Sequence, residues 1–137
     1  AEAYKKVLSD AVSENLIKSV FLKLFEEYPD LESVGWYGYT PYFNDGDECI
    51  FRVDGPYIQL KENSELQKEL NPDNYDHLDH YDLASTSSNQ GKCFKETLKN
   101  LSKFLHGIKD GLKMAFGDHL EVTVTRQGLS TKEYEHD

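Results

Sequence analysis

Residues 76–82 have the composition best suited to metal chemistry, since Asp-His-Leu-Asp-His-Tyr-Asp combines imidazole and carboxylate groups. On a helix, His77 and His80 would share one face, because residues three apart are neighbours there. Such groups can hold zinc or iron. The spacing indicates no complete ligand set, and a polar loop has the same composition, so we expect no cofactor. A metal-binding protein or metal-dependent enzyme built on His77, His80 and Asp79 is kept as the alternative.

Two further pairs combine an acid with a histidine, namely Asp118-His119 and His136-Asp137. Adjacent residues on a strand point to opposite faces, so neither pair is expected to form an acid–base dyad. The sequence contains no nucleophile elbow and no glycine-rich phosphate loop. Nothing in it therefore requires an enzyme, and we favour a non-enzymatic binding protein.

Five aromatic residues fall within eight positions, beginning at Trp36. In a strand, Trp36 would face opposite to Tyr37 and Tyr39, so both faces of that strand would carry rings. Tyrosine and tryptophan are common at protein interfaces because they combine a large contact area with a polar tip. We predict Tyr37, Tyr39 and Tyr42 as partner-binding residues. The alternative is that Trp36 and Phe43 belong to the core and the tyrosines cover the sheet edge.

An acidic run follows these aromatics at residues 44–48, which read Asn-Asp-Gly-Asp-Glu. The run lacks the spaced acids and the distal glutamate of an EF-hand. It is typical of a turn with solvated carboxylates. We assign Asp45, Asp47 and Glu48 to the same partner-binding surface as the tyrosines.

The formal net charge of −10 arises in the middle of the chain. Residues 29–91 hold 13 acids and 3 bases, a balance of −10, whereas residues 92–117 hold 6 lysines and 2 acids, a balance of +4. An acidic field steers a protein toward basic partners and argues against a nucleic acid bound through its phosphates. We expect a protein partner with a basic surface and no direct nucleic acid contact, although solubility alone would also explain the acids.

The spacing of apolar residues predicts two amphipathic helices. The first lies within residues 3–28 and ends at Pro29, because the residue before a proline disfavours the helical conformation. The second follows a continuous apolar stripe over residues 94–115. Gly107 and Gly111 weaken this helix, and they indicate either close packing on a sheet or a bend.

Alternating apolar and polar residues predict four or five strands, at residues 33–39, 49–53, 57–60, 120–125 and 129–134. Turn residues separate them at Asp54-Gly55-Pro56 and at Gln127-Gly128. Residues 61–91 are polar and are expected to form an acidic excursion from the fold, with a short helix at residues 64–70 capped by Ser64.

These elements predict a single α+β domain over residues 1–137. We expect a two-layer sandwich in which a mainly antiparallel sheet of four to five strands is covered on one face by the two amphipathic helices. No apolar run approaches the roughly 20 residues of a membrane span. The two cysteines, Cys49 and Cys93, are too few for a disulfide scaffold. We therefore expect a cytoplasmic protein with free thiols and no membrane association.

Two runs of residues resemble a signature of uncharacterised small bacteriophage and bacterial proteins. The first run comprises Trp36, Tyr39 to Asp47, Cys49 and Phe51, in the pattern W-x-x-Y-T-P-Y-F-N-D-G-D-x-C-x-F. The second run comprises Phe116-Gly117-Asp118-His119, the valine and threonine strand after it, and the final Tyr134-Glu135-His136-Asp137. This group carries no catalytic assignment, so the resemblance implies a phage origin and no particular chemistry.

A phage origin implies a particular kind of binding protein. Small acidic phage proteins often bind and block a host defence or nucleic-acid-handling protein, as anti-CRISPR and anti-restriction proteins do. Carboxylates on a rigid domain can occupy a basic groove that normally holds phosphates. Our leading hypothesis is a phage-encoded inhibitor of this type. A protein that sequesters a nucleotide-like ligand against its aromatic rings is a further alternative.

Overall fold

The computed structural model describes residues 14–40, 50–76 and 78–134, with the backbone alone for His80. Within these residues the elements are, in chain order, α1 (Glu14–Glu27), β1 (Leu31–Tyr39), β2 (Arg52–Leu60), α2 (Glu65–Leu70), β3 (Leu78–Asp79), a 3-10 helix (His80–Asp82), α3 (Asn89–Gly107), α4 (Lys109–Phe116), β4 (Leu120–Thr125) and β5 (Gly128–Glu133). The first predicted helix therefore falls within the described residues only from Glu14 onward.

The five described strands form one antiparallel sheet in the order β3-β2-β1-β4-β5. Because side chains alternate along a strand, each strand sends one set of residues to each face of the sheet. Val34 and Trp36 of β1 and Val122 of β4 are buried on one face. All four described α-helices add side chains to the same core. The predicted two-layer α+β sandwich, with amphipathic helices on one face of an antiparallel sheet, is confirmed.

α1 forms because its apolar residues recur at spacings of three and four and build one face. Ile17, Phe21 and Leu24 on that face are buried. Phe21 stacks on Trp36 of β1, with the ring centroids 5.7 Å apart. The helix ends just before Pro29, as predicted.

Arg126, in the turn between β4 and β5, closes the C-terminal end of α1. Its guanidinium donates to the carbonyl oxygens of Leu31 at 2.6 Å, Pro29 at 3.0 Å and Phe25 at 3.2 Å. It also lies 5.1 Å from the centroid of the Phe25 ring. The last carbonyls of a helix have no partner inside the helix, and the guanidinium satisfies that of Phe25 while its fork of donors also reaches Pro29 and Leu31 beyond the helix end. This contact joins α1 to the terminal hairpin.

The turn predicted before Tyr57 is wrong, because the chain continues there as one long strand, β2. Asp54 pairs with Tyr37 and Tyr57 pairs with Gly35, so β2 advances three residues where β1 advances two. The extra residue forms a β-bulge, in which Gly55 has a φ of 142°. Glycine adopts such a positive φ without a steric penalty. Asp54, Gly55 and Pro56, which are typical of turns, therefore form a bulge inside a strand of the sheet.

Residues 61–91 pack against the fold, so the prediction of an excursion from it is wrong. The short helix α2 within this segment is confirmed, and the Ser64 hydroxyl caps it by accepting from the Gln67 amide. β3 adds an edge strand beside β2. Four leucines of the segment are buried in the core: Leu66, Leu70, Leu78 and Leu83.

The second predicted helix is divided at Ile108 into α3 and α4. Of the two alternatives at Gly107, the structure shows the bend, since a side chain added there would meet nothing within 4 Å. The predicted apolar stripe is confirmed along α3 and as far as Leu112 of α4, where these residues are buried: Phe94, Leu98, Leu101, Leu105 and Leu112. Ala115, at the predicted end of the stripe, is exposed.

The terminal hairpin is confirmed, with its turn shifted by one residue. Thr125 pairs with Gly128, so Arg126 and Gln127 are the turn residues. The predicted Gln127-Gly128 turn is therefore wrong, and Gly128 begins β5 instead. β5 lies at the edge of the sheet, as predicted.

Candidate partner-binding face

Four tyrosines lie together on the sheet face opposite the helices. Tyr37 and Tyr39 of β1 point there because they alternate with Trp36, which lies in the core. Tyr57 of β2 and Tyr134, which directly follows β5, bring their rings to the same place. We call Tyr37, Tyr39, Tyr57 and Tyr134 the tyrosine face. All four are half-buried.

The rings of the tyrosine face contact one another. The Tyr37 ring centroid lies 5.3 Å from that of Tyr57, with the planes 71° apart, and 4.4 Å from that of Tyr134, with the planes 39° apart. The centroid of the Tyr39 ring lies 5.9 Å from that of Tyr134. Tilted and edge-to-face pairs at such distances are favourable, so the rings stabilise one another in place. The result is a preorganised aromatic surface around Tyr37.

Three carboxylates edge the tyrosine face. Asp54 of β2 and Glu121 of β4 stand on either side of Tyr37, because both are its cross-strand partners. Asp79 of β3 is the cross-strand partner of Tyr57. Each of these carboxylates is close enough to act electrostatically on Tyr37 or Tyr57.

Two basic residues share this face of the sheet, nearer its margins. Arg52 pairs with Tyr39, and Lys132 on the edge strand pairs with Glu121. Both side chains are exposed. Three carboxylates against these two bases leave these five side chains with a balance of −1, and the acids lie beside the central rings.

Tyr57 and Asp54 are joined by a hydrogen bond, in which the phenol donates to Asp54 Oδ2 at 2.8 Å. Burial raises the pKa of Tyr57 above its ordinary value of 10.0, and the hydrogen bond to Asp54 raises it further. The negative charges of Asp54 and Asp79 act in the same direction. The phenol therefore keeps its proton throughout the physiological range and stays a donor.

The pKa values of the other two strand tyrosines, Tyr37 and Tyr39, are raised as well. Burial raises the pKa of Tyr37 above 10.0, and the Glu121 carboxylate adds to the effect. Burial also raises the pKa of Tyr39, with a further contribution from Asp54 that Arg52 partly offsets. The three strand tyrosines of the tyrosine face therefore keep their phenolic protons at neutral pH.

An aromatic surface edged by carboxylates suits an organic cation. The face of a tyrosine ring attracts an ammonium or guanidinium group through the ring quadrupole. A nearby carboxylate adds a charge-assisted hydrogen bond to the same group. The face therefore has the chemistry to receive lysine or arginine side chains.

The predicted partner-binding residues divide into two sets. The structure brings Tyr37 and Tyr39 together on one face, as the alternation predicted. Tyr42, Asp45, Asp47 and Glu48 lie outside the described residues, and their assignment stays a prediction.

Several residues of the tyrosine face were missed in the sequence. The sequence pattern predicts a turn at Asp54 and an edge strand at Tyr134, and it gives neither residue a role in binding. The period-two alternation of each strand was the available signal, but only the strand order shows that Tyr57 and Tyr134 meet at Tyr37.

The candidate metal ligands are placed only in part. The Asp79 carboxylate accepts from the Tyr81 amide at 3.0 Å and so caps the 3-10 helix. His77 and the His80 side chain lie outside the described residues. Among the side chains that are described, no group of three or more histidines, cysteines and acids is placed to hold a metal ion. The ligand set His77, His80 and Asp79 stays a prediction.

Asp118 and His119 form a closer pair than their adjacency indicated. His119 precedes β4 and has a φ of 54°, so strand alternation does not separate the two side chains. His119 Nε2 lies 3.7 Å from Asp118 Oδ1. Thr40 also holds this carboxylate, since its amide donates to Oδ1 at 2.9 Å and its hydroxyl to Oδ2 at 2.7 Å. The pair therefore ties the end of β1 to the start of β4.

The pKa of Asp118 reflects this set of donors. Burial acts to raise its pKa, but the hydrogen bonds from Thr40 and from the His119 amide outweigh burial and lower the pKa below 3.8. The carboxylate is therefore ionised at neutral pH and serves as an acceptor for the strand ends.

No family model, no curated protein and no solved structure matches this chain. The resemblance to small bacteriophage and bacterial proteins therefore stays a prediction.

None of the helices in the described part of the chain combines the length and the apolar character of a membrane span. Cys93 is a free and exposed thiol.

Proposed function

We propose that the protein is a binding protein whose tyrosine face receives arginine or lysine side chains from a partner with a basic surface. One observation supports this most: rings in mutual contact and three carboxylates share one face of the sheet. Tyrosines are frequent anchors of protein interfaces, because they bury a large area at little cost in conformational entropy.

The rigidity of the site favours binding. The tyrosine face rests on β1, β2, β4 and β5, and its rings are held by one another. Side chains already ordered before binding lose little entropy on association. Desolvation by a partner would strengthen the attraction between the carboxylates and an incoming cation. The site therefore combines a preorganised contact area with electrostatic selection of basic partners.

The finer proposal is that the protein blocks a host defence or nucleic-acid-handling protein. The net charge of −10 supports it, because an acidic domain can compete for a basic surface that normally holds phosphates. Asp45, Asp47 and Glu48 would extend the acidic surface, since they lie in the chain between Tyr39 and Arg52, which are cross-strand partners on the tyrosine face.

The proposal is tested by affinity capture from bacterial lysate, with the wild-type chain and two variants as bait. Asp54→Asn/Glu121→Gln removes two charges from the tyrosine face while retaining side-chain shape. Glu26→Gln/Asp73→Asn removes two charges from exposed positions outside it. Bound proteins are identified by mass spectrometry at low and moderate salt.

We expect one dominant basic protein that the wild-type chain and the control variant retain and that the Asp54→Asn/Glu121→Gln variant loses. Its capture should weaken as salt rises, because salt screens charges that are exposed to solvent. Equal capture by all three baits would contradict the proposed face. A triple charge reversal at Asp45, Asp47 and Glu48 that leaves capture unchanged would remove these three acids from the surface.

A further inference from the structure

A groove of about 540 Å³ lies on the outer side of α3, away from the tyrosine face. α3 forms one wall, and Tyr81 of the 3-10 helix and Thr86 of the following segment lie on the other. Lys95 Nζ donates to the Ala84 carbonyl oxygen at 3.2 Å, which ties the helix to that segment. The groove is therefore a defined concavity between two parts of the fold.

Four lysines of α3 line this groove: Lys92, Lys95, Lys99 and Lys103. Their spacings of three, four and four residues place them on one face of the helix, along about 16 Å of its axis. Glu96 also lines the groove. Four lysines and one glutamate leave these five side chains with a balance of +3, in a chain whose net charge is −10.

The groove also carries an aromatic ring and hydroxyl groups. Tyr81 is 84% exposed, so a large part of its ring can contact a ligand. Thr86 and Ser102 also lie in the lining. The volume falls in the range of about 300–1,000 Å³ that is typical of small-molecule sites.

We propose that this groove binds a nucleotide-like phosphate ester, with its phosphates on the lysines and its base against Tyr81. A row of ammonium groups attracts a chain of phosphates, which lysine binds as a point charge. Any of the nucleobases can stack on an exposed aromatic ring, because each base has a flat π-face. The site is distinct from the tyrosine face, where carboxylates would repel the same phosphates.

Isothermal titration calorimetry at low salt tests the proposal by measuring the affinity of three probes: adenosine triphosphate, inorganic triphosphate and adenosine. We expect adenosine triphosphate to bind most tightly, because only this probe engages both the lysines and the ring. The binding should weaken with added salt. Tyr81→Ala should bring the affinity for adenosine triphosphate down to that for inorganic triphosphate.

The charge requirement is tested with matched variants. Lys92→Gln/Lys99→Gln/Lys103→Gln removes three exposed charges and spares Lys95, which holds the Ala84 carbonyl. It should weaken binding of adenosine triphosphate by roughly tenfold or more. Lys61→Gln/Lys68→Gln, at exposed positions outside the groove, should leave it unchanged.

Any of three results with these probes and variants would overturn the proposal. They are no binding of adenosine triphosphate at low salt, equal affinity for adenosine triphosphate and inorganic triphosphate in the wild-type chain, or unchanged affinity in the groove variant. A single-stranded oligothymidylate that binds far more tightly than adenosine triphosphate would also overturn it, in favour of a nucleic acid strand as the ligand.

Discussion

Asp54 and Tyr57 lie on the same face of β2 although they are three residues apart, and the Tyr57 phenol donates to Asp54 Oδ2 at 2.8 Å. In a regular strand, residues three apart point to opposite faces. The bulge at Gly55 adds one residue and restores both side chains to one face. The bulge therefore places the Asp54 carboxylate next to the tyrosine face.

Gly55→Ala should destabilise the fold by about 1–3 kcal/mol, the usual cost of a side chain in a strained backbone conformation. Gly55 has a φ of 142°, and an added Cβ would lie 3.0 Å from Trp36 Cβ and 3.1 Å from the Gly35 carbonyl oxygen. Urea unfolding measures the change. Gly107→Ala is the control, because an added Cβ there meets nothing within 4 Å. Equal stabilities of the two variants would contradict the role of the bulge.

Tyr57→Phe should make the stability of the fold less sensitive to alkaline pH. The pKa of Tyr57 is raised above 10.0 in the folded state, so its contribution to stability is present below pH 10 and is lost as the pH rises through the folded value. Tyr37 and Tyr39 have raised pKa values as well, so part of the loss persists in the variant.

The alkaline prediction is checked by urea unfolding at about pH 8 and at about pH 11. At the lower pH, Tyr57→Phe should cost up to about 1 kcal/mol, through the lost hydrogen bond to Asp54. The wild-type chain should lose more stability between the two pH values than the variant does. A loss of the same size in both proteins would contradict the assigned pKa direction.

Arg126→Lys should cost about 1.5–3 kcal/mol of stability, since an ammonium group cannot reproduce the forked set of donors. The guanidinium contacts the carbonyl oxygens of Phe25, Pro29 and Leu31, so the variant leaves acceptors unsatisfied between the last turn of α1 and the start of β1. Thermal or urea unfolding measures the effect. Gln127→Ala changes the exposed neighbour in the same turn and should stay within about 0.5 kcal/mol of wild type. If Arg126→Lys costs no more stability than Gln127→Ala does, the contacts of the Arg126 guanidinium contribute little to stability.

Local patterns predicted most of the helices and strands. The apolar spacing of Ile17, Phe21 and Leu24 and the stripe from α3 to Leu112 each depend only on neighbouring residues, and both are confirmed. Ser64 likewise marks the start of α2 through a contact three residues away. Such features can be predicted because the physics that determines them is local.

Features set by tertiary packing could not be predicted in the same manner. Gly55 and Pro56 are typical of a turn, and only the pairing with β1 makes them a bulge. The leucines of residues 61–91 are spaced irregularly, so their burial depends on the surfaces that meet them. The tyrosine face combines residues as distant as Tyr37 and Tyr134, and the order of strands brings them together.

The most direct test of the proposed binding face is a nuclear magnetic resonance titration with an arginine-rich peptide. We expect the ring resonances of Tyr37, Tyr39, Tyr57 and Tyr134 to shift on binding. Tyr134→Leu keeps apolar bulk and removes the ring. It should weaken peptide binding by about 0.5–1 kcal/mol, the usual value of an exposed cation–π contact. Asp54→Asn/Glu121→Gln should weaken it further, whereas Glu26→Gln/Asp73→Asn should bind as the wild-type chain does.

Two results of this titration would contradict the proposed binding face. If the peptide shifts resonances elsewhere and leaves the four tyrosines unchanged, the tyrosine face does not receive basic side chains. The same conclusion follows if the peptide binds the wild-type chain and all three variants with one affinity. Selective loss of binding in the tyrosine-face variants, with the control variant unaffected, is the result that we predict.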